Sequence, residues 1–136
     1  MNLELLHIAV IGAGSGAFAA ALRAAETGAR VTMIEAGTVG GTCVNVGCVP
    51  SKIFLRGAHV AHTQSRHPFD GVGRVRPVVN RAAMVAQQQA RVTELRLAKY
   101  ESLLARNPGI ELVSGFATFD DAETVRIEKS DGTTRT

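Results

Sequence analysis

The chain reads as an α/β protein built on a parallel βαβ unit, and three segments predict it. His7-Ile8-Ala9-Val10-Ile11 is a short apolar run that ends in glycines, as expected of a strand buried on both faces of a parallel sheet. From Ser15 to Thr27 the residues are mainly Ala with Phe18 and Leu22, and Gly28 stands where a C-terminal cap belongs; such small helix formers allow close packing on a sheet. Val31-Thr32-Met33-Ile34 then supplies a second strand rich in β-branched residues. Strand, helix and strand in so short a span make a right-handed unit with parallel strands.

The remaining elements follow in order. Residues 36–50 are rich in Gly, hold both cysteines and end at Pro50, after which Ser51 to Thr63 can be helical. Residues 66–80, punctuated by Pro68, Gly71, Gly73 and Pro77, read as a connecting loop. Asn80 can cap a long helix from Arg81 to Arg106, with Val85, Val92, Leu95 and Leu103 near one face and Asn107-Pro108-Gly109 as its stop. Strand-like runs follow at Ile110–Val113, Gly115–Phe119 and Thr124–Ile127, and Asp131-Gly132 would turn a hairpin whose second arm is missing.

The sequence has 136 residues, 46% of them hydrophobic and 20% charged, enough apolar material for one packed domain. Aromatic residues make up only 4%, with no Trp, so the core must come from Val, Ile, Leu and Ala. The net charge is +3, yet basic residues are scattered singly from Arg23 to Arg106 and never gather into a phosphate-tracking run. Nucleic acid is therefore not an expected partner. Residues Met1–Leu6 carry Glu4 and no basic region, and no apolar run approaches the roughly 20 residues that cross a bilayer. No membrane association is expected. Two cysteines five positions apart, with no export signal, fit the reducing cytoplasm, where a close pair is more often catalytic or metal-binding than structural.

Gly12-Ala13-Gly14-Ser15-Gly16-Ala17 fits the pattern G-x-G-x-x-G/A, with Ala17 in third place. Gly12 permits the tight turn out of the strand, Gly14 lets backbone amides approach a pyrophosphate, and Ala17 lets the helix pack close to the sheet. Glu35 ends the second strand, where a carboxylate can accept hydrogen bonds from a ribose hydroxyl and would repel a 2′-phosphate. Strand, loop, helix, strand and spaced acid thus predict a Rossmann-like dinucleotide site. The fingerprint does not distinguish FAD from a nicotinamide dinucleotide.

Cys43-Val44-Asn45-Val46-Gly47-Cys48 carries the most chemistry. Residues five apart in a regular helix rise about 7.5 Å along its axis, whereas a disulfide needs Cα atoms within roughly 4.4 to 6.8 Å. The segment must be distorted for the pair to bond, and Gly47 gives it the freedom. A non-regular helix start would also lower a thiol pKa. Three readings compete. A static cross-link is disfavoured in the cytosol. A zinc site could recruit His59 and His62, although their gap is shorter than the usual His spacing. Redox cycling of the two thiols fits the adjacent dinucleotide loop and is the preferred reading.

Gly40-Gly41-Thr42-Cys43-Val44-Asn45-Val46-Gly47-Cys48-Val49-Pro50-Ser51-Lys52 resembles the active-site signature of the FAD-dependent pyridine nucleotide–disulfide oxidoreductases. Three flanking stretches, Gly57–His62, Pro68–Gly71 and Ala86–Glu101, are similar to the branch of that family that reduces Hg(II) and less like the branches acting on glutathione or dihydrolipoamide. The resemblance implies a Rossmann-like FAD-binding βαβ with inserted redox-active and long helices. It implies electron flow from NADPH through FAD to the cysteine pair. By position Cys43 matches the thiol that meets substrate, Cys48 the thiol beside the flavin, and Lys52 a cation near the reduced flavin. Thr42 and Lys52 match FAD contacts, while Gly12, Gly14, Ala17, Glu35, Gly37 and Ala117 match the adenine-nucleotide end. Both thiols, being soft ligands, would hold Hg(II) transiently as a substrate metal.

The family pattern further implies that residues 1–136 are the N-terminal, incomplete part of an FAD-binding domain. A nicotinamide-binding domain, with the NADPH site, and a dimerisation domain giving a homodimer would lie elsewhere. Two alternatives stay open: a disulfide- or dihydrolipoamide-directed member of the family, and a non-enzymatic flavin-, thiol- or zinc-binding module.

Overall fold

In the computed structural model, which describes residues 6–136, β2 (Arg30–Glu35) is the middle strand of a three-stranded parallel sheet. It pairs with β1 (His7–Ile11) on one side and β3 (Ile110–Ser114) on the other. Val31, Thr32, Met33 and Ile34 are all buried, because a central parallel strand is covered on both faces and β-branched side chains fit that double burial. Helix α1 (Ser15–Glu26) lies on one face and places Phe18 and Ala21 against Val31, Met33 and Ile110. On the other face Ile34 and Val113 pack with Ile127. Gly28, at φ +88°, follows α1 as the expected left-handed stop. The acidic opening with Glu4 lies outside the described residues.

Between β2 and β3 the chain makes a long helical excursion. Helix α2 (Gly41–Asn45) is a single turn, α3 (Cys48–Ser65) and α4 (Arg81–Arg96) pack side by side, and residues 66–80 form the loop between them. The Asn80 side chain accepts a hydrogen bond from the Ala83 amide, so the predicted cap is present. A π-helical turn (Leu97–Glu101) follows α4 and continues into α5 (Ser102–Arg106). After β3, Gly115 leads into an antiparallel sheet of β4 (Phe116–Phe119), β5 (Val125–Glu128) and β6 (Thr134–Arg135).

Four expectations need correction. β1 is an edge strand whose His7, Ala9 and Ile11 face outward, with Ile11 51% exposed, so it is not buried on both faces. The cause is its place in the sheet, which no local pattern encodes. The redox helix begins at Cys48 rather than Ser51; Pro50 is accommodated because the first turn of a helix has no use for its missing N–H. The long helix is not uninterrupted, since the π-turn widens it at Leu97–Glu101. The hairpin arm described as missing exists in short form, β6 pairing with β5 through Ile127↔Arg135 and Glu128↔Thr134.

Candidate functional site

The site forms where β1 and β2 end. Gly12 takes φ +101°, a left-handed conformation that favours glycine, and its amide donates to the Ile34 carbonyl at 2.7 Å. Gly14 caps α1 without any side-chain hydrogen bond, and no acidic residue occupies the first turn. The leading N–H groups and the positive dipole end of α1 are thus open to an anion. Ala17 packs on the core below. The glycine loop thus leads into α1 with no side-chain cap over its first turn.

Glu35 holds this loop from beneath. One carboxylate oxygen accepts the Ala13 amide and the other the Gly37 amide, each at 2.7 Å. A carboxylate oxygen carries two lone pairs, so each retains acceptor capacity for a ribose hydroxyl. Gly115 donates to the Glu35 carbonyl at 3.0 Å, and Ala117, two residues further on, packs beside Ile34, Val113 and Ile127. The residues assigned to the adenine-nucleotide end are therefore gathered around the ends of β1, β2 and β3, with Ala17 packed on one face of the sheet and Ala117 on the other.

The cysteine segment abuts the same loop. The Gly40 amide donates to the Ala13 carbonyl at 2.8 Å, and a Cβ on Gly41 would lie 2.8 Å from the Gly14 Cα. Only glycine fits there, and Gly41 is also at φ +65°. The helix is interrupted between Asn45 and Cys48, where the Thr42 carbonyl accepts both the Val46 and Gly47 amides. A Cβ on Gly47 would sit 3.0 Å from the Thr42 oxygen, so glycine lets the chain fold back tightly. This is the distortion that the five-residue spacing demanded. Thr42 is exposed beside it.

Cys43 and Cys48 are both exposed and are not joined in a disulfide. A hydrogen bond with Cys48 pushes the Cys43 thiol up from its ordinary pKa, with desolvation and the Cys48 charge adding to it and the Lys52 cation opposing. That corrects the expectation of a lowered pKa at the helix start. α2 has only five residues, and Cys43 lies inside it rather than before it, so its dipole is small and the neighbouring sulfur dominates. Lys52, one turn after Cys48, is exposed and helps to line an open cleft of about 890 Å³ between α3 and α4, with Ile53, Gly57, Val60, Met84 and Leu95. His59 and His62 also lie exposed on α3. Among the described residues no group of three or more His, Cys, Asp and Glu could hold a metal ion, so the four-ligand zinc set is not assembled.

Sequence reasoning overlooked Asn45, Arg96 and Tyr100. The Asn45 side-chain amide donates to the carbonyls of Thr38, Val39 and Gly41 at 3.2, 3.0 and 3.0 Å and ties α2 to the loop before it. Its polarity between two cysteines was the available signal. Arg96 and Tyr100 come from a distant helix, and only the rarity of Tyr, present once in the chain, could have drawn attention.

The glycine loop, its carboxylate and the two cysteines thus stand side by side at the ends of β1 and β2. The family model for pyridine nucleotide-disulphide oxidoreductases matches residues 6–136, and the chain belongs to that family. It is 58% identical over 128 residues to a mercuric reductase of Shigella flexneri and 56% identical over 128 residues to one of Acidithiobacillus ferrooxidans. Each match covers 93% of this chain and 23% of the relative, so the chain spans about a quarter of their length. The solved HOCl-induced flavoprotein disulfide reductase RclA from Escherichia coli superposes with a TM-score of 0.73 over 96% of this chain and 26% of that one, at 24% identity. That likeness establishes the fold. No helix among the described residues is long and apolar enough to cross a membrane.

Proposed function

We propose that this chain is the N-terminal, FAD- and thiol-bearing segment of an NADPH-dependent mercury(II) reductase that works in the cytoplasm as a homodimer. The observation that carries the reading is the direct contact of two loops, Gly14 of the nucleotide loop against Gly41 of the cysteine segment. This contact supports a dithiol working beside a dinucleotide. The relatives 58% and 56% identical over this segment are mercuric reductases, which supports Hg(II) over a disulfide as substrate.

The residues fit FAD. Gly12, Gly14 and the open first turn of α1 would receive the pyrophosphate, Ala17 sets the helix close, and Glu35 with Gly37 and Ala117 would receive the adenosine end. Thr42 and Lys52 would border the flavin end. Bound FAD would supply the relay by which the two electrons of NADPH reach the cysteines. The chain's own task is to offer two adjacent thiols to a soft cation. As thiolates, Cys43 and Cys48 would bind Hg(II) through sulfur, releasing their protons on the way. The overall balance is NADPH plus Hg(II) giving NADP⁺, H⁺ and Hg(0). Lys52 favours thiolate formation at Cys43, while the Cys48 hydrogen bond opposes it.

Hg(II)-dependent NADPH oxidation by the full-length protein tests the assignment. Turnover of disulfide or dihydrolipoamide without turnover of Hg(II) would sink it. The 136-residue chain alone should show no steady NADPH oxidation, since it carries one glycine fingerprint and the reaction needs two dinucleotides. The thiol chemistry can be read on the chain itself from the pH dependence of Cys43 alkylation. Cys48→Ala removes the largest raising influence, so the midpoint should move to lower pH, whereas Lys52→Gln should move it higher. Shifts of the opposite sign would refute the electrostatic account.

A further inference from the structure

The long helix touches both loops of the site at points one turn apart. Tyr100 Oη lies 2.8 Å from Ser15 Oγ at the first residue of α1, and the tyrosine ring stands edge-on to Phe18 with centroids 5.0 Å apart. Four residues earlier, Arg96 Nη1 donates to Asn45 Oδ1 at 3.0 Å, while its Nε pairs with Glu101 at 3.3 Å. Asn45 carries that contact onward to the carbonyls of Thr38, Val39 and Gly41. Ser15 belongs to the nucleotide loop and Asn45 to the cysteine segment. The two loops already meet through Gly40 to Ala13 and Gly41 against Gly14.

The π-turn at Leu97–Glu101 sets this arrangement. One extra residue in a turn rotates every later side chain by about 100° relative to a continuous α-helix. Leu103 and Leu104 consequently pack on the core around Phe18 and Met33, while Arg96 and Tyr100 address the loops. A widened turn has poorer hydrogen-bond geometry and persists where its surroundings hold it. Here it is held at both polar contacts.

We propose that Arg96 and Tyr100 form a brace across the π-turn that fixes the cysteine helix relative to the nucleotide loop. Neither touches a reacting atom, so both are positioning residues. The effect on FAD rests on the function proposed above, and the effect on the thiols does not.

Two readouts separate these. Equilibrating the 136-residue chain with glutathione and glutathione disulfide, then alkylating and weighing it, gives the Cys43–Cys48 dithiol–disulfide constant. In that exchange the two thiols lose two electrons and two protons as glutathione disulfide becomes two glutathione thiols. Titration with FAD, followed by flavin fluorescence, gives its Kd. Arg96→Met should shift the thiol constant about five-fold, as expected for one lost hydrogen bond, and Arg96→Lys should recover part of the shift. Tyr100→Phe keeps the ring on Phe18 and should weaken FAD binding about five-fold. Because the contacts share one turn, the double variant should be non-additive in both readouts. A lower melting temperature, with both constants within about two-fold of the parent, would reduce the pair to ordinary packing and overturn the brace. If the parent chain takes up no FAD, the thiol constant of Arg96→Met alone decides the brace.

Discussion

Around β2 the molecule is held by burial, whereas from Cys48 to Glu101 it is held by a few polar contacts. Ala13, Phe18, Ala21, Val31, Met33 and Ile110 form one closed cluster. The helical arm buries only Pro50 and Val92, while Leu55, Val60 and Leu97 stay exposed at 68%, 43% and 50%. The difference teaches where precision comes from. The nucleotide loop inherits its geometry from a dense core, and the cysteine helix receives its position from glycine contacts and side-chain hydrogen bonds.

Three substitutions sharpen or break this contrast, and Met33→Ala has the largest expected effect. Met33→Ala removes a side chain with no exposure and should cost about 2–5 kcal/mol in denaturant unfolding. Val60→Ala, on the open arm, should stay within about 0.5 kcal/mol. Equal losses at both positions would mean that the arm has a core of its own. Asn80→Ala deletes the side-chain cap of α4 and should cost about 1 kcal/mol. An unchanged midpoint would show that the arm unfolds separately from the strands.

A small effect is also expected at Glu111, whose hydrogen bonds with Arg135 join the two sheets and hold its carboxyl below the usual range. Both side chains are largely exposed, so Glu111→Gln should cost less than about 1 kcal/mol. A lowered carboxyl pKa gives stability that is present above the unfolded-state value and is lost as pH falls through the folded one. The variant should therefore differ from the parent at neutral pH and converge with it in acid. A gap that widens in acid would contradict the pairing.

The glycine loop, Glu35 and the broken helix between the cysteines were legible because each is a local constraint. Gly12 and Gly41 need positive φ, and a five-residue spacing cannot bond within a regular helix. The exposed face of β1 and the π-turn were not legible. The first depends on which strand sits at the sheet edge, and the second on what lies opposite Arg96 and Tyr100. The missed hairpin arm, Thr134–Arg135, is too short and polar to give a strand pattern. It forms because Asp131 organises the turn through Thr133 and Arg135 reaches Glu111 on the other sheet.

By itself the sequence determined the βαβ unit, the glycine loop and the break between the two cysteines, because backbone freedom at glycine, apolar periodicity and residue spacing act over a few neighbouring positions. Tertiary structure alone decided that Gly14 and Gly41 touch, that Cys48 raises the Cys43 pKa, and that a tyrosine 85 residues away meets Ser15. Those outcomes depend on distances between segments remote in the chain, and such distances are set only when the core around Met33 closes.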